Sequence, residues 1–263
     1  MRIATWNVNS LKARLPRVEE WLGEVEPDIL CMQETKLDDA AFPAMTFQSM
    51  GYEAVHHGEG RWNGVAILSR VGIDDVVDGF GDDDPPDGEA RLVWATCGGV
   101  RVGSAYIPNG REVGHDHYRY KLAWLARLRT VLDRQAGGDG ADLVVCGDFN
   151  VAPADEDVWN VAAFEGATHV SDAERAALAE LESWGLHDVF RERQPQPGLF
   201  SWWDYRAGSF HKRQGMRIDL VLASGPLASR AAYAVVDRNA RKGKGPSDHA
   251  PVIVDFRAPV DGR

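Results

Sequence analysis

Cysteine is scarce in this chain of 263 residues, which contains only Cys31, Cys97 and Cys146. The three lie in separate apolar runs, and an odd count in unrelated contexts indicates neither a disulfide framework nor a zinc site. In such runs cysteine behaves as a small apolar residue. We therefore expect a protein of a reducing compartment and predict a cytoplasmic location.

Long apolar segments are also missing. No run approaches the roughly 20 residues that a membrane-spanning helix needs, so we expect no membrane partner. The stretch "MRIATWNVN" at the start has polar residues where a signal peptide would have its apolar region. It is typical of a first strand instead.

Three catalytic motifs are absent as well. The chain has no glycine-rich P-loop, no serine or cysteine nucleophile elbow and no HExxH sequence. Their absence argues against P-loop nucleotide hydrolysis, acyl transfer through a covalent intermediate and proteolysis of the HExxH type.

Basic residues are in deficit: 29 lysines and arginines oppose 40 acidic residues, which gives a net charge of −11. A protein that binds nucleic acid through charge alone is normally basic, so the overall charge argues against that class. The cations are nevertheless concentrated in segments 118–129, 206–217 and 238–245, whereas acid collects in 81–89 and 154–157. Two interpretations of the basic segments stay open: they form one local basic face, or they are solvated charge on unrelated surfaces.

Apolar periodicity predicts strands with helices between them. Helical spacing of apolar residues is found in 11–25, 122–132 and 173–184. Interleaved helices, together with a hairpin at 91–107 and crossover connections, predict mixed sheets covered by helices, an α/β or α+β layered fold. The strand-like runs are 2–6, 28–33, 64–69, 91–97, 100–107, 142–147, 218–223, 233–237 and 252–256.

No repeat or long linker divides the chain, so we predict one domain, residues 1–258, followed by a short tail, residues 259–263. The connections 78–90, 151–170 and 191–216 are long, and loops of such length are usually functional or disordered. The first is acidic and rich in proline and glycine, which favours a mobile surface loop. The third carries Trp202, Trp203, Tyr205 and Phe210 among cations, a composition that argues against disorder.

Polar residues repeatedly interrupt the ends of the apolar strands. For each of these residues the alternative to a functional role is a structural one, as a helix cap or a turn residue. Antiparallel neighbours bring the C-terminal end of one strand beside the N-terminal end of another, so a mixed sheet can bring all of them to one edge. We predict such an edge. The residues are Asn7, Glu34, Tyr106, Asp148, Asn150, Asp219, Asp248 and His249.

This edge has the ligand chemistry of a magnesium site. Glu34 offers a hard oxygen ligand, and Asn7 and Asp248 are further candidates. Few carboxylates with open water positions suit Mg²⁺, which keeps several waters and often shares its shell with phosphate oxygens. Mn²⁺ is the alternative ion.

The remaining polar residues suit attack of water on a phosphoester. Asp148 is a candidate to orient or deprotonate the water, and Asn150 to hold the water or a phosphate oxygen. A hydrogen bond between Asp219 and His249 would orient the imidazole and favour its cationic form beside the transition state. Neutral donors for phosphate oxygens are Tyr106 and Asn109. The set predicts metal-assisted phosphoester hydrolysis by water.

The same residues fall within an ordered set of motifs: "WNVNS", "MQETK", "NGVAILSR", "YIPNG", "GDFNVAP", "SWWDYR", "MRIDLVLAS" and "SDHAPV". Together these resemble the exonuclease III family of AP endonucleases, part of the wider endonuclease/exonuclease/phosphatase superfamily that includes DNase I. The resemblance runs from Arg2 to about Phe256. Motifs such as "GDxN" recur across the superfamily, whereas "QETK", "SWWDYR" and "RIDLVLAS" point to the exonuclease III branch.

The resemblance implies a four-layered α/β sandwich in which two mixed β-sheets pack face to face and are flanked by helices. It implies divalent-metal cleavage of the phosphodiester 5′ to abasic sites in double-stranded DNA. It also implies 3′→5′ exonuclease activity and cleaning of 3′ ends. No protein partner is expected, and we predict a monomer that is nucleoid-associated when it acts on DNA.

Carried over by position, Glu34 is the principal metal ligand, with Asn7 and Asp248 near the metal. Asp148 is the base that activates water, and Asn150 is its partner. Asp219 and His249 keep the role of a hydrogen-bonded pair, while the contacts to the scissile phosphate come from Tyr106 and Asn109.

The resemblance further implies an apolar pocket for a flipped abasic sugar, lined by Trp202, Met216 and Ile218. A pocket too small for a base gives selectivity, because an abasic nucleotide has little stacking to lose. Met216 departs from the bulky tryptophan that some strongly endonucleolytic members place there, which leaves the balance between endonuclease and exonuclease open. The alternative is that the Trp202–Trp203 pair is core; in an extended segment Trp203 points the other way.

Two histidine pairs, His56–His57 and His115 with His117, have spacings that occur in metal sites. No cysteine or carboxylate completes either set in the sequence, so we predict surface histidines. Lys36 follows Glu34 closely and is a candidate to reach a DNA phosphate, but we predict a solvated surface lysine.

Three functions stay open: a DNA-repair nuclease, a phosphatase acting on a small or lipid phosphate, and an inactive binding module on the same fold. The second leaves "SWWDYR" and the basic segments without a role. The third conflicts with catalytic positions that are all occupied by competent residues. The nuclease is therefore the favoured prediction.

Overall fold

Two sheets of six strands each dominate the computed structural model, which describes residues 1–81, 89–138 and 140–259. Most of the predicted mobile loop at 78–90, and residues 260–263 of the predicted tail, lie outside the described residues. The strands are β1 (Arg2–Asn7), β2 (Ile29–Gln33), β3 (Glu53–His57), β4 (Val65–Ser69), β5 (Asp74–Asp78), β6 (Leu92–Cys97), β7 (Val100–Tyr106), β8 (Leu143–Asp148), β9 (Leu186–Asp188), β10 (Asp219–Ser224), β11 (Ala231–Val236) and β12 (Val252–Phe256).

Both sheets are mixed. The first has the order β11-β12-β1-β2-β4-β3 and the second β5-β6-β7-β8-β10-β9. One parallel pair lies at the centre of each, β1 with β2 and β7 with β8, and the remaining pairings are antiparallel. In each sheet, the C-terminal ends of the two parallel strands therefore lie beside the N-terminal ends of their antiparallel neighbours.

The helices are α1 (Leu11–Val25), α2 (Ala44–Ser49), α3 (Asp116–Ala136), α4 (Asp172–Trp184), α5 (Val189–Arg193), α6 (Ser209–Lys212) and α7 (Gly225–Ala228). The first four cover the outer faces of the sheets, whereas the short helices α5 and α7 pack into the apolar layer between the sheets. Helix α4 begins with a capping box in which Ser171 and Glu174 satisfy each other's backbone N–H groups. Ser10 precedes α1 but makes no side-chain cap hydrogen bond.

Three apolar layers hold these elements together. A central layer of short β-branched and small residues joins the inner faces of the two sheets. One outer layer packs Trp21 and Leu22 of α1 against the first sheet, and the other packs Leu125 and Leu128 of α3 against the second. Helix, sheet, sheet and helix therefore make a four-layered sandwich, and the predicted fold class is confirmed.

Three strands were not predicted from the sequence: β3, β5 and β9. All three are edge strands of their sheets. β5 reads "DDVVD" and is mostly exposed, while β9 has three residues. An edge strand pairs on one side only and carries charge that discourages further pairing, so its apolar pattern is weak. None of the described helices is long and apolar enough to cross a bilayer.

Candidate active site

The predicted edge exists, and it lies where the two sheets face each other. The parallel strands β1 and β2 of one sheet and β7 and β8 of the other end there, and the antiparallel strands β10 and β12 begin there. In the register of the second sheet, Asp148 is paired with both Tyr106 and Asp219. The rule that antiparallel neighbours join opposite strand ends therefore holds for this protein.

A cavity of about 180 Å³ opens at this edge. Ten of the residues predicted from sequence line it, while Asn7 and Asp219 lie behind the lining residues that they contact. His169, in the loop before α4, completes the wall without having been predicted. The lining residues are Glu34, Tyr106, Asn109, Asp148, Asn150, His169, Trp202, Met216, Ile218, Asp248 and His249.

The backbone around the cavity is strained. Gly147 has φ 153°, and a Cβ there would lie 1.8 Å from the carbonyl oxygen of Ala105 on the neighbouring strand, so only glycine can precede Asp148. Non-glycine residues in the left-handed region are uncommon and cluster at functional sites. Three of the residues that line the cavity have this conformation: Glu34, Asn150 and His169.

Asn7 joins the two sheets through its side chain. Its Nδ2 donates to Glu34 Oε1 and to Asp148 Oδ2, both at 2.9 Å, while its Oδ1 accepts the backbone N–H of Asn9 at 2.9 Å. The amide is fully hydrogen-bonded and turns its nitrogen toward both carboxylates. Asn7 therefore fixes the separation of Glu34 and Asp148 and does not turn its oxygen toward the cavity.

Asp148 is a buried carboxylate, 2% exposed. Its Oδ1 accepts the backbone N–H of Asn150 at 2.9 Å. Burial raises the pKa of Asp148 to about 7. The positive charge of His249 lowers this pKa, but the negative charges of Asp219 and Glu34 act in the same direction as burial, and the increase prevails. A carboxylate with a pKa near neutrality is well matched to removing a proton from water.

His249 lies beside it as a cation. Its Nδ1 donates to Asp219 Oδ2 at 2.8 Å, and its Nε2 is 3.7 Å from Asp148 Oδ2. Burial opposes the charge, but Asp219 and Asp148 outweigh it and raise the pKa of His249 to about 10. The side-chain ligand atoms of these three residues lie within 4.8 Å of one another. An imidazolium has no lone pair for a metal, so this cluster is suited to holding a proton.

Tyr106 supplies a neutral hydroxyl. Burial raises the pKa of Tyr106 well above its usual value, and the negative charges of Glu34 and Asp148 raise it further. The ring is held by the guanidinium of Arg91, 4.7 Å from its centroid. The hydroxyl therefore stays protonated and can donate to an anionic oxygen.

Two amides and one imidazole form the opposite wall. Asn109 Nδ2 donates to Asn150 Oδ1 at 3.2 Å and lies 3.5 Å from His169 Nε2. His169 Nδ1 bonds the carbonyl oxygen of Asn150. Burial and then the charge of Lys121 lower the pKa of His169 to about 4, so the imidazole is neutral. No strand-end signal marks His169 in the sequence, because it lies in a loop.

Lys121 anchors this wall from beneath. Its side chain and that of Glu174 are both 0% exposed, and the two form an ion pair. Lys121 Nζ also donates to the carbonyl oxygens of Asn150 at 2.6 Å and Asn109 at 3.3 Å. Glu174 accepts the backbone N–H of His169 at 3.0 Å. One buried ion pair therefore positions the loops of three wall residues.

Glu34 and Asp248 present carboxylates on the other side of the cavity. Lys36 Nζ is 2.8 Å from Glu34 Oε2 and 2.6 Å from Asn9 Oδ1, so the prediction of a solvated lysine was wrong. Burial would raise the pKa of Glu34, but Lys36, Asn7 and His249 outweigh it and lower that pKa. Asp248 accepts from Asn9 Nδ2 at 2.9 Å and from Trp202 Nε1 at 3.1 Å.

The predicted apolar pocket residues also come together. Trp202 pairs through its backbone with Met216, at 2.9 and 3.0 Å, and Met216 packs with Ile218 in one small apolar cluster. Trp203 lies in a different cluster and is 1% exposed, in contact with Phe210. The predicted opposite orientation of the two tryptophans is therefore found, with Trp203 in the core.

Comparison with known proteins decides the family. The sequence profile of the endonuclease/exonuclease/phosphatase family matches residues 4–249. The chain belongs to this family. It is 31% identical over 272 residues to exodeoxyribonuclease III of Haemophilus influenzae, with 98% of this chain and 100% of that protein covered.

Two solved structures carry the likeness further. An AP endonuclease from Archaeoglobus fulgidus superposes with a TM-score of 0.94 at 38% identity, covering 98% of this chain and 100% of that one. A 3′-5′ exonuclease from Neisseria meningitidis, NExo, gives 0.94 at 40% identity, covering 97% and 99%. The chain is thus a hydrolytic DNA-repair nuclease of the exonuclease III type, as predicted.

Proposed function

We propose that this nuclease hydrolyses the phosphodiester 5′ to abasic sites in double-stranded DNA, and that it also acts as a 3′→5′ exonuclease and cleans blocked 3′ ends. Mg²⁺ is the proposed metal and Mn²⁺ its substitute. We infer a monomer without a required protein partner, in which residues 1–258 form one domain. The proposed location is the cytoplasm, in association with the nucleoid during repair.

One observation carries this proposal. A carboxylate with a pKa near 7 and an imidazolium with a pKa near 10 lie 3.7 Å apart in one small cavity. A base and a fixed cation are what hydrolysis of a phosphodiester by water requires. Similarity to an exodeoxyribonuclease III and to an AP endonuclease supports DNA as the substrate.

The reaction follows from these two groups. Asp148 takes a proton from water as the water oxygen bonds to phosphorus, and the P–O3′ bond then breaks. The 3′-oxyanion that leaves takes a proton from solvent and becomes the 3′-hydroxyl. His249 donates its Nε2–H to a phosphate oxygen that gains charge, while Asp219 holds the ring. Tyr106 and Asn109 donate to the other phosphate oxygens.

The residues present fit a hard divalent ion. Glu34 is ionised because its pKa is lowered, and it lines the cavity with Asp248. Glu34 is the proposed principal ligand and Asp248 the second, since carboxylate oxygens suit Mg²⁺. Asn7 is proposed to hold Glu34 in place, as its hydrogen bonds indicate. When bound, the ion supplies positive charge against the phosphate oxygens.

A cationic surface beside the site supports a DNA partner despite the charge of −11. Arg14 and Arg17 of α1 donate to carbonyl oxygens in the loop 240–246, which exposes Lys242 and Lys244. Among the described residues, no carboxylate lies within ion-pairing distance of these four cations. We call them the loop–helix cations and propose that they contact the phosphate backbone.

A duplex oligonucleotide with one tetrahydrofuran site tests the proposal. Incision 5′ to that site with Mg²⁺, and none with EDTA, is the expected result. A matched undamaged duplex and one with a 3′-phosphate give the ratio of the three activities. Turnover of a small phosphomonoester without incision would favour a phosphatase. Binding without turnover would favour an inactive binding module.

A further inference from the structure

Three side chains outside the cavity form a directed chain of hydrogen bonds. Thr35 Oγ1 is 2.8 Å from His56 Nε2, and His56 Nδ1 is 2.8 Å from Asp39 Oδ1. An ionised carboxylate only accepts, so Nδ1 carries the proton and Nε2 accepts the hydroxyl of Thr35. We call Thr35, His56 and Asp39 the relay. The prediction that His56 is a surface histidine was wrong, since its side chain is 4% exposed.

The relay is rigid. Phe42 stacks on the imidazole of His56 with ring centroids 4.3 Å apart and an angle of 15°. Asp39 Oδ1 also accepts the backbone N–H of Gly58 at 2.8 Å, so the outer end is fixed as well. Burial lowers the pKa of His56, which maintains the neutral ring that can accept from Thr35.

Thr35 lies between two strained residues of the site. Glu34 has φ 52° and Lys36 has φ 53°, both left-handed. Thr35 N donates to Gly64 O at 3.1 Å, and Thr35 O accepts from Leu11 N at 2.9 Å. A Cβ on Gly64 would lie 2.1 Å from Thr35 Oγ1, so Thr35 is enclosed on that side too.

Left-handed non-glycine residues persist only when their surroundings over-determine them, because the conformation is strained. The backbone contacts of Thr35 fix the path of the chain, and the relay fixes its side chain. Without the relay, only the backbone contacts of Thr35 would hold the left-handed conformation of Glu34.

We propose that the relay positions Glu34 and thereby sets the affinity of the site for its divalent ion. This inference rests on the proposed role of Glu34 as principal ligand. Thr35, His56 and Asp39 are positioning residues and touch neither DNA nor the ion. Partners that orient a ligand from outside typically change metal affinity about 10–100-fold when they are lost.

Binding of Mn²⁺ to the DNA-free protein tests this directly, measured from the free-Mn²⁺ signal in electron paramagnetic resonance. Thr35→Val and His56→Leu are each expected to weaken Mn²⁺ binding about 10–100-fold. Thr35→Ser keeps the hydroxyl and should bind Mn²⁺ as the unaltered protein does. The double variant should be little weaker than either single variant, because both changes break one chain.

Two further variants separate the possible failures. His187 makes a similar bond to Glu192, 2.9 Å long and solvent-exposed, so His187→Leu should leave Mn²⁺ binding unchanged. Glu34→Gln should abolish tight binding. Unchanged binding in Glu34→Gln would refute Glu34 as ligand and the proposed metal site with it. Loss in Glu34→Gln with full binding in folded Thr35→Val would overturn the relay alone.

Asp39→Ala covers the case in which a buried substitution prevents folding. The side chain of Asp39 is 62% exposed, so its removal leaves the core intact. It should weaken Mn²⁺ binding by about tenfold, the low end of the range. Binding equal to that of the unaltered protein would refute the relay.

Discussion

Replacing Asp148 by asparagine should make the protein more stable and almost inactive. The pKa of Asp148 rises from an ordinary 3.8 to about 7, so its ionised form is disfavoured in the folded state. At 1.36 kcal/mol per pKa unit, that corresponds to about 4 kcal/mol above pH 7. Asparagine turns an N–H₂ toward the donor Asn150 N or Asn7 Nδ2, which costs about 1–3 kcal/mol. The net expectation is a gain of about 1–3 kcal/mol at pH 8.

The pH dependence is the stronger part of this prediction. A carboxyl with a raised native pKa binds more protons in the folded than in the unfolded state between 3.8 and about 7. Its contribution to stability is therefore present at low pH and lost as pH rises through that window. Asparagine does not titrate, so the advantage of Asp148→Asn should be about 2–3 kcal/mol larger at pH 8 than at pH 5.

Urea unfolding followed by tryptophan fluorescence measures this, since the chain has nine tryptophans. The measurement is made in EDTA, because a bound cation would itself favour the ionised carboxylate. Asp133→Asn, at a side chain 75% exposed, is the matched control for the change from aspartate to asparagine. In Mg²⁺, kcat/KM of Asp148→Asn should fall about 10²–10⁴-fold.

A stability difference that does not vary with pH would refute the argument that Asp148 is a buried and costly charge. Near-normal turnover by Asp148→Asn would remove the residue from the role of base. The two outcomes are independent, so either half of the reasoning can fail alone.

Three other predictions concern charge. In the unaltered enzyme, kcat/KM should decrease as pH is lowered through a pKa of about 7 or less, because protonated Asp148 cannot act as a base. A value of kcat/KM that stays constant at acidic pH would contradict this. Lys121→Met should lower the free energy of unfolding by about 3–5 kcal/mol, because it leaves Glu174 buried and unpaired. Urea titration measures this free energy, and a loss below about 1 kcal/mol would contradict the prediction. Lys242→Ala and Lys244→Ala should each lower the slope of log DNA affinity against log salt by about one, and an unchanged slope would exclude that lysine from phosphate contact.

The sequence predicted the centre of each sheet better than its edges. Central strands such as β1 and β8 are apolar on both faces, because helices cover the outside of the sandwich, and they read as continuous apolar runs. β3, β5 and β9 pair on one side only, and solvent replaces the missing neighbour. Their residues are therefore largely polar because they are exposed to solvent, and the apolar pattern typical of a strand is too weak to detect.

The site follows the same distinction. Asp148, Asp219 and His249 were found because a polar residue at the end of an apolar strand is conspicuous in the sequence. His169 was missed because it lies in a loop, where a histidine is ordinary. Lys121 was missed because a lysine is not expected on the buried side of a helix such as α3. Only the fold shows that Glu174 pairs with it.

The bridge made by Asn7 has a mechanical consequence. Glu34 belongs to one sheet and Asp148 to the other, and between them lies a layer of short apolar side chains without directional bonds. Each sheet is held in register by its own hydrogen-bond ladder, whereas the alignment of one sheet on the other depends on packing and on a few polar links such as Gln33 with Ser104. Sliding of the layers would misalign the catalytic groups before any strand separates, so catalysis should be lost on heating ahead of secondary structure.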